Sequence, residues 1–416
     1  MKIKNISMTT MIMIAMVLGI VSGIVVGPAI GNIRAIGDIF LRLIQMTVVI
    51  LVMGAVIEAV GQIAPKDLGK LGGKIFSLFM ISTVISAIIG IILAEIIQPG
   101  AGIDVKLTSA TDIVAPQQTI YEMVVNFFPK NIIEAMTAGN MIQCIVFSLL
   151  FGMALSLYSH NTNDKRILDS IKTFNIIILG VVKLVMKMAP LGIFALLAWV
   201  TGTIGLQVMV PLMKFLICMA VGTVIILFLF ITLTAMYAKV SPLKLAGKVW
   251  RMGVVAFTTT SSAISLPVKM EDSEQKIGVS KRISQLVNPL GMALNSNGLS
   301  LFLAISCITL AQFYHLEMSL VFLIQIIVLS TLATLGTVVV PGGGLVALAI
   351  VLPSMGLPLE SIALLAGIDW FSGMFRTVLN VVDDALIALI IAVGEDEFDR
   401  DIFDGKSADI ALNSGN

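Results

Sequence analysis

Six long apolar runs follow one another in the first 240 residues, at about 8–31, 38–63, 74–98, 135–158, 170–200 and 205–238. Each is near or above the ~20 residues that a helix needs to cross the hydrocarbon of a bilayer. Runs longer than about 25 residues suggest tilted helices or extra segments. The composition agrees: 58% of the chain is apolar and only 12% charged, with a mean hydropathy of +1.04. Soluble domains carry about 25% charge, so this chain reads as a polytopic membrane protein with the lipid bilayer as its solvent. The net charge is +1, and no nucleic-acid partner is implied. Residues 1–26 read as a first transmembrane helix rather than a signal peptide, because the run is long and no small-x-small cleavage site follows it.

Lysine and arginine set the orientation. Lys2 and Lys4 precede the first run; Lys66, Lys70 and Lys74 lie between the second and third. Lys165, Arg166 and Lys172 lie between the fourth and fifth, and Lys239, Lys244, Lys248 and Arg251 follow the sixth. Every second connection is basic, which places those connections and the N-terminus in the cytoplasm. Cys144, Cys218 and Cys307 lie far apart inside apolar runs and read as small packed hydrophobes. His160 and His315 fall near run ends and read as loop residues rather than proton relays.

After Arg251 the runs become broken. "VVAFTTTSSAISLPVKM" is too polar at its centre to span, and "LVNPLGMALNSNGLSLFLAIS" carries the polar break Asn295-Ser296-Asn297-Gly298. "TLATLGTVVVPGGGLVALAIVLP" holds Pro341 and three glycines in mid-run. Non-helical backbone at membrane depth survives only where protein buries it or water reaches it. Two segments therefore read as re-entrant hairpins, with tips near 258–267 and 337–344, each followed by a segment with polar residues inside. Paired interruptions in two repeats point to a transporter binding site at the membrane midplane. The bland alternative is a tight turn or a glycine-rich packing seam.

The last apolar stretch contains "DWFSGMFRTVLNVVDD", residues 369–384. At about 100° per residue, Asp369, Gly373, Arg376, Asn380, Asp383 and Asp384 share one stripe, with Thr377 beside it. A charge at mid-membrane costs at least ~2.5–3.5 kcal/mol on insertion scales, so the stripe must face protein or water. An internal Arg–Asp pair that only orders the fold is the structural alternative. The stripe holds more acids and amides than one arginine needs, and oxygen ligands suit a hard cation.

At these residues the chain resembles the glutamate-transporter family, the dicarboxylate/amino acid:cation symporters. "TTTSSAISLP", "NPLGMALNSNG", "GTVVVPGGG" and "GIDWFSGMFRTVLNVVDD" carry the resemblance, in that order. It implies an all-α fold of eight transmembrane helices and two re-entrant helical hairpins, a homotrimer, and elevator-type motion of a transport domain against a scaffold. The division it implies is 1–71 scaffold, 72–134 transport helix and extracellular loop, and 135–204 scaffold. Residues 205–250 are then a transport helix, 251–395 the transport core and 396–416 a polar cytoplasmic tail, expected to be disordered. It implies a plasma (inner) membrane location with both termini cytoplasmic, a small anionic substrate, a coupling Na+ or H+, and no other cofactor.

By resemblance, Arg376 meets a substrate carboxylate, in the bidentate geometry that guanidinium favours. Asn380, Thr377, Gly373, Ser261, Ser262, Val340 and Gly344 surround the substrate. Asp384, with Gly291, Asn295 and Asn380, holds a sodium ion. Thr334, Leu335 and Thr337 offer oxygens to a second. Ser82 and Thr83 belong to a third, where Asn297 replaces the family's usual aspartate. Two further departures bear on the substrate. Leu299 replaces a threonine of the pocket, and Gly373 stands where amino-acid transporters of the family place an aspartate against the substrate ammonium. Without that acid, a buried ammonium is poorly compensated. Arg376 and Gly373 together favour a non-amino dicarboxylate, with an acidic or neutral amino acid as alternatives. Asp383 is an extra acid, a candidate replacement for a missing charge or a proton carrier. Two rivals from other classes are weaker. A hydrolase would need a base beside Ser261 or Ser262, and a channel could not concentrate a solute.

Overall fold

The computed structural model describes residues 8–62, 70–101, 121, 125–203, 205, 207, 209–335 and 343–405. Those residues are all-helical, apart from one isolated bridge between Val279 and Phe398. In chain order the helices are α1 (Met8–Val26), α2 (Arg34–Gly61), α3 (Lys70–Ile97), α4 (Ile132–Thr137), α5 (Met141–Thr162), α6 (Arg166–Met186), α7 (Ala189–Thr203) and α8 (Met209–Ala238). Then come α9 (Pro242–Thr259), α10 (Ser262–Asp272), α11 (Lys281–Leu294), α12 (Asn297–Phe313), α13 (Leu320–Leu335), α14 (Gly343–Ser354), α15 (Ile362–Ala366), α16 (Asp369–Gly394) and α17 (Arg400–Asp404). Among the described residues six stretches are long and apolar enough to cross a membrane, or seven if the bent pair α6–α7 is one span.

The apolar runs break where the backbone chemistry demands it. The first run ends as helix at Val26, because Gly27 turns to φ +62° and Pro28 opens a 3-10 turn. The fifth run is two helices bent by 50°. Pro190 sits at the start of α7 and cannot donate to the preceding turn, which closes instead through Lys187 N–H to Leu184 O and Met188 N–H to Val185 O.

Two packing groups emerge from the contacts. In one, α1 lies along α7, and α2 packs on α5, α6 and α7. The α1–α7 seam is built on Gly19 and Gly23, spaced as G-x-x-x-G. A Cβ at Gly19 would meet the Phe194 carbonyl, and one at Gly23 would meet Thr201. In the other, α16 is surrounded by α8, α9, α11 and α12, and α3 lies along α12 and α8. Lipid-type surface belongs to outer helices such as α8, which exposes Met213, Ile217, Val224 and Phe228. The spanning window of α8 is 33% buried, against 94% for that of α11–α12 and 72% for that of α16. The polar, broken segments are therefore the interior of the molecule.

Residues 395–405 correct the expectation of a disordered tail. Phe403 is buried beneath Lys248, and Phe398 packs on it edge-to-face. Glu397 binds Ser280 and Arg282, and Arg400 donates to the carbonyls of Ala238 and Lys239 at the end of α8. Glu395, Glu397 and Asp404 are matched by partners far away in sequence, Lys74, Arg282 and Lys244, and two phenylalanines anchor the segment. The residues from 406 onward lie outside the described residues.

Candidate functional site

Three inter-helix stretches are the expected partners of α16 in the site. The first is the turn between α9 and α10. Thr260 takes φ +49°, and Ser261 caps α10 by accepting the Ile264 N–H at 3.3 Å. Ser262 begins α10 and is buried. The second is the break at Asn295-Ser296, both outside helical geometry, between α11 and α12. The third lies between Leu335 and Gly343. Its tip, with Thr337 and Val340, is outside the described residues.

The break in α11–α12 presses directly on α16. Gly298 has no room for a Cβ, which would strike the Arg376 backbone, and its N–H donates to Asn380 Oδ1 at 2.9 Å. Arg376 is buried, with its guanidinium 4.5 Å from the Phe302 ring centroid. Its Nη2 donates to Asp369 Oδ1 at 2.7 Å and to Asp369 O at 3.0 Å. Among the described residues nothing accepts from Nε or Nη1, so these N–H groups are available to a ligand. Gly344 lies against Nη1; a side chain there would collide with it. Gly373 is also close, its Cβ position being 3.2 Å from Nη2. Thr377 spends its hydroxyl proton on Gly373 O at 2.8 Å, within its own helix. Ser261 and Ser262 have no hydrogen bond to Arg376 among the described residues, although α10 packs on α16.

One turn further along α16 is a second polar cluster. Asp383 Oδ2 accepts from Asn297 Nδ2 at 2.5 Å and from Asn295 Nδ2 at 3.0 Å. Asn295 also donates to Asp384 Oδ1 at 3.0 Å. On α3, Thr83 Oγ1 lies 2.9 Å from Asn297 Oδ1, 3.2 Å from Asn295 Oδ1 and 2.7 Å from Phe79 O. Ser82 Oγ lies 3.3 Å from Asn297 Oδ1. One threonine hydroxyl proton thus faces three oxygens, which leaves surplus oxygen lone pairs. Gly291 lets α11 approach, since a Cβ there would collide with the Asp384 carboxylate.

Sequence reasoning passed over Lys269. Its Nζ donates to Asp384 Oδ2 at 2.5 Å and to Asn288 O at 3.0 Å, with side-chain exposures of 0% and 1% for the pair. A signal was available: Ser262, Ser265, Lys269 and Asp272 recur at helical spacing and form the buried face of α10. The internal Arg–Asp pair that stood as the structural alternative is present, with Asp369 as the partner of Arg376. Charge is therefore paired twice along α16, Asp369 with Arg376 and Asp384 with Lys269. Among the described residues no cationic side chain pairs with Asp383.

The sequence profile of the sodium:dicarboxylate symporter family matches residues 8–393. The chain belongs to this family. Curated relatives span the same length. The proton/sodium-glutamate symport protein of Bacillus caldotenax is 32% identical over 413 residues, covering 96% of this chain and 97% of the relative. The proton/glutamate-aspartate symporter of Escherichia coli (strain K12) is 32% identical over 425 residues, covering 95% of each. The C4-dicarboxylate transport protein of Pseudomonas syringae pv. tomato is 30% identical over 401 residues, covering 92% of this chain and 86% of the relative. This sodium:dicarboxylate symporter family member is a transporter, not an enzyme, and the hydrolase alternative falls with that assignment. In this symporter Thr334 and Leu335 close α13, fully buried, and the Thr334 hydroxyl donates to Thr331 O at 2.6 Å.

Proposed function

We propose that the protein is a secondary active symporter that couples inward movement of Na+ or H+ to uptake of a dicarboxylate across the plasma membrane. The observation that carries this reading is the uncompensated Asp383 carboxylate. It is buried in an oxygen-rich pocket, about two turns along the same helix from the free N–H groups of Arg376. An isolated buried carboxylate is strongly unfavourable, so it calls for a cation. The Asp383 carboxylate and the oxygens of Asn295, Asn297, Ser82 and Thr83 are the donor set. Relative to the family pattern, the acid missing at Asn297 is supplied by Asp383 through a 2.5 Å hydrogen bond.

Arg376 takes one substrate carboxylate on N–H groups of Nε or Nη1, while Asp369 holds Nη2 and fixes the plane of the guanidinium. Asn380 links the two clusters, because its side chain fastens Gly298 at the start of α12. Cation binding therefore bears on the backbone beside the substrate position. Coupling follows if the α13–α14 pair closes only when cation and substrate are both bound, biasing one two-state element toward the doubly loaded form. Eight membrane helices with two re-entrant hairpins, an elevator motion of the α16-centred group against the α1–α2–α5–α7 group, cytoplasmic termini and a homotrimer complete the reading. The two packing groups support it.

A second reading, an acidic amino acid as substrate, is favoured by Asp369. That carboxylate lies one helical turn before Gly373, on the side where a substrate ammonium would sit. Uptake of labelled succinate and labelled aspartate into proteoliposomes separates the two, each with an inward Na+ gradient, an inward proton gradient, or neither. Concentrative succinate uptake under one ion gradient supports the first reading, and concentrative aspartate uptake the second. Absence of concentrative uptake for both would refute an acidic substrate.

A further inference from the structure

The Asp384 position does not fit a free cation, because the chain's own ammonium occupies it. Lys269 Nζ sits 2.5 Å from Asp384 Oδ2, and Asn295 Nδ2 sits 3.0 Å from Oδ1, so both carboxylate oxygens already face donors. The ammonium is completed by the Asn288 carbonyl at 3.0 Å, an oxygen of the broken α11. Gly291 stands against the far side of the carboxylate. Lysine and aspartate are fully buried. A metal ion placed here would meet hydrogen-bond donors and a like charge rather than oxygens.

We propose that Lys269 is a tethered cation that permanently fills the Asp384 position and removes one ion from the coupling stoichiometry. This inference rests on the symport reading above. The geometry distinguishes this role from an ordinary stabilising pair. Asp384 and Asp383 are adjacent, share the Asn295 amide and differ in one respect: the first carries a covalently attached cation and the second carries none. α10 delivers the ammonium through a face whose buried positions, Ser262, Ser265, Lys269 and Asp272, are all polar. An ammonium anchored to α10 travels with the protein and returns with it. It balances the charge of Asp384 in the loaded and the empty state alike, and cannot be released to either side. Only the Asp383 pocket, in this cluster, exchanges its cation.

The test counts sodium ions without requiring a substrate. The full chain in detergent is unfolded thermally at a series of NaCl concentrations, with choline chloride holding ionic strength constant. The slope of stability against log[Na+] reports the number of ions bound by the folded form. Lys269→Ala should steepen that slope by about one ion, as Na+ enters beside Asp384. Lys269→Arg, and the double variant Lys269→Ala/Asp384→Asn, should keep the wild-type slope. A Lys269→Ala protein with an unchanged slope would overturn the inference. So would one that stays unfolded at every NaCl concentration while the double variant folds, since Na+ then fails to replace the ammonium. Wild-type uptake in proteoliposomes reports separately on symport, so failure of that reading leaves the ion count standing and is distinguishable from failure of this one.

Discussion

Asp383→Asn removes a buried charge that has no cationic partner among the described residues, while keeping the shape of the side chain. In the native protein two amide N–H groups, at 2.5 and 3.0 Å, point at Oδ2. Hydrogen bonds to a charged group contribute ~1.5–3 kcal/mol each and neutral ones ~0.5–1.5, so the swap forfeits roughly 2 kcal/mol over both bonds. Against that stands the desolvation of an unpaired carboxylate, several kcal/mol per ion. In cation-free buffer the variant should therefore be at least as stable as the wild type. Cation binding should behave in the opposite way. Removing one partner of a buried ion pair costs about 3–5 kcal/mol, and about 1.4 kcal/mol is tenfold in affinity. The cation concentration for half-maximal uptake should rise by roughly two to three and a half orders of magnitude, if uptake survives. Initial rates in proteoliposomes at saturating substrate, over a cation series, measure this. A half-maximal concentration within threefold of the wild type would refute the assignment of Asp383.

Three further perturbations follow from the geometry. Arg376→Ala should abolish uptake and also lower the melting temperature, because it strands the buried Asp369. Asp369→Asn, which loosens the guanidinium plane, should lower uptake, and uptake equal to the wild type at native stability would show that the pair only orders the fold. Glu397 is held below the ordinary carboxyl range, chiefly by its hydrogen bond to Arg282 and then by Ser280. Its contribution is thus present above the unfolded glutamate value of about 4.3 and is lost as pH falls through the lowered folded value. Glu397→Gln should lower the melting temperature slightly at neutral pH and flatten its fall at acid pH, and identical pH profiles for the two proteins would contradict the clamp.

The membrane class, the helical fold and the location of the broken segments are written in local chemistry. Run length, glycine and proline positions and the polar stripe of α16 each act within a few residues, so they are readable without a partner. The same holds for Arg376, Asn380, Asn295 and Asp384, whose residue types are improbable in hydrocarbon unless they face one another. Local pattern failed where the deciding partner is distant. The tail acids looked solvated until Arg282 and Ser280, more than a hundred positions away, came to face Glu397. No neighbour along the sequence identifies the partner of Lys269, yet packing of α10 on α16 carries the ammonium across 115 positions to Asp384. Periodicity assigns a side chain to a face of its helix. Only the packing of one helix against another decides which charge meets which, and in a low-dielectric interior that pairing determines where a free cation has room to bind.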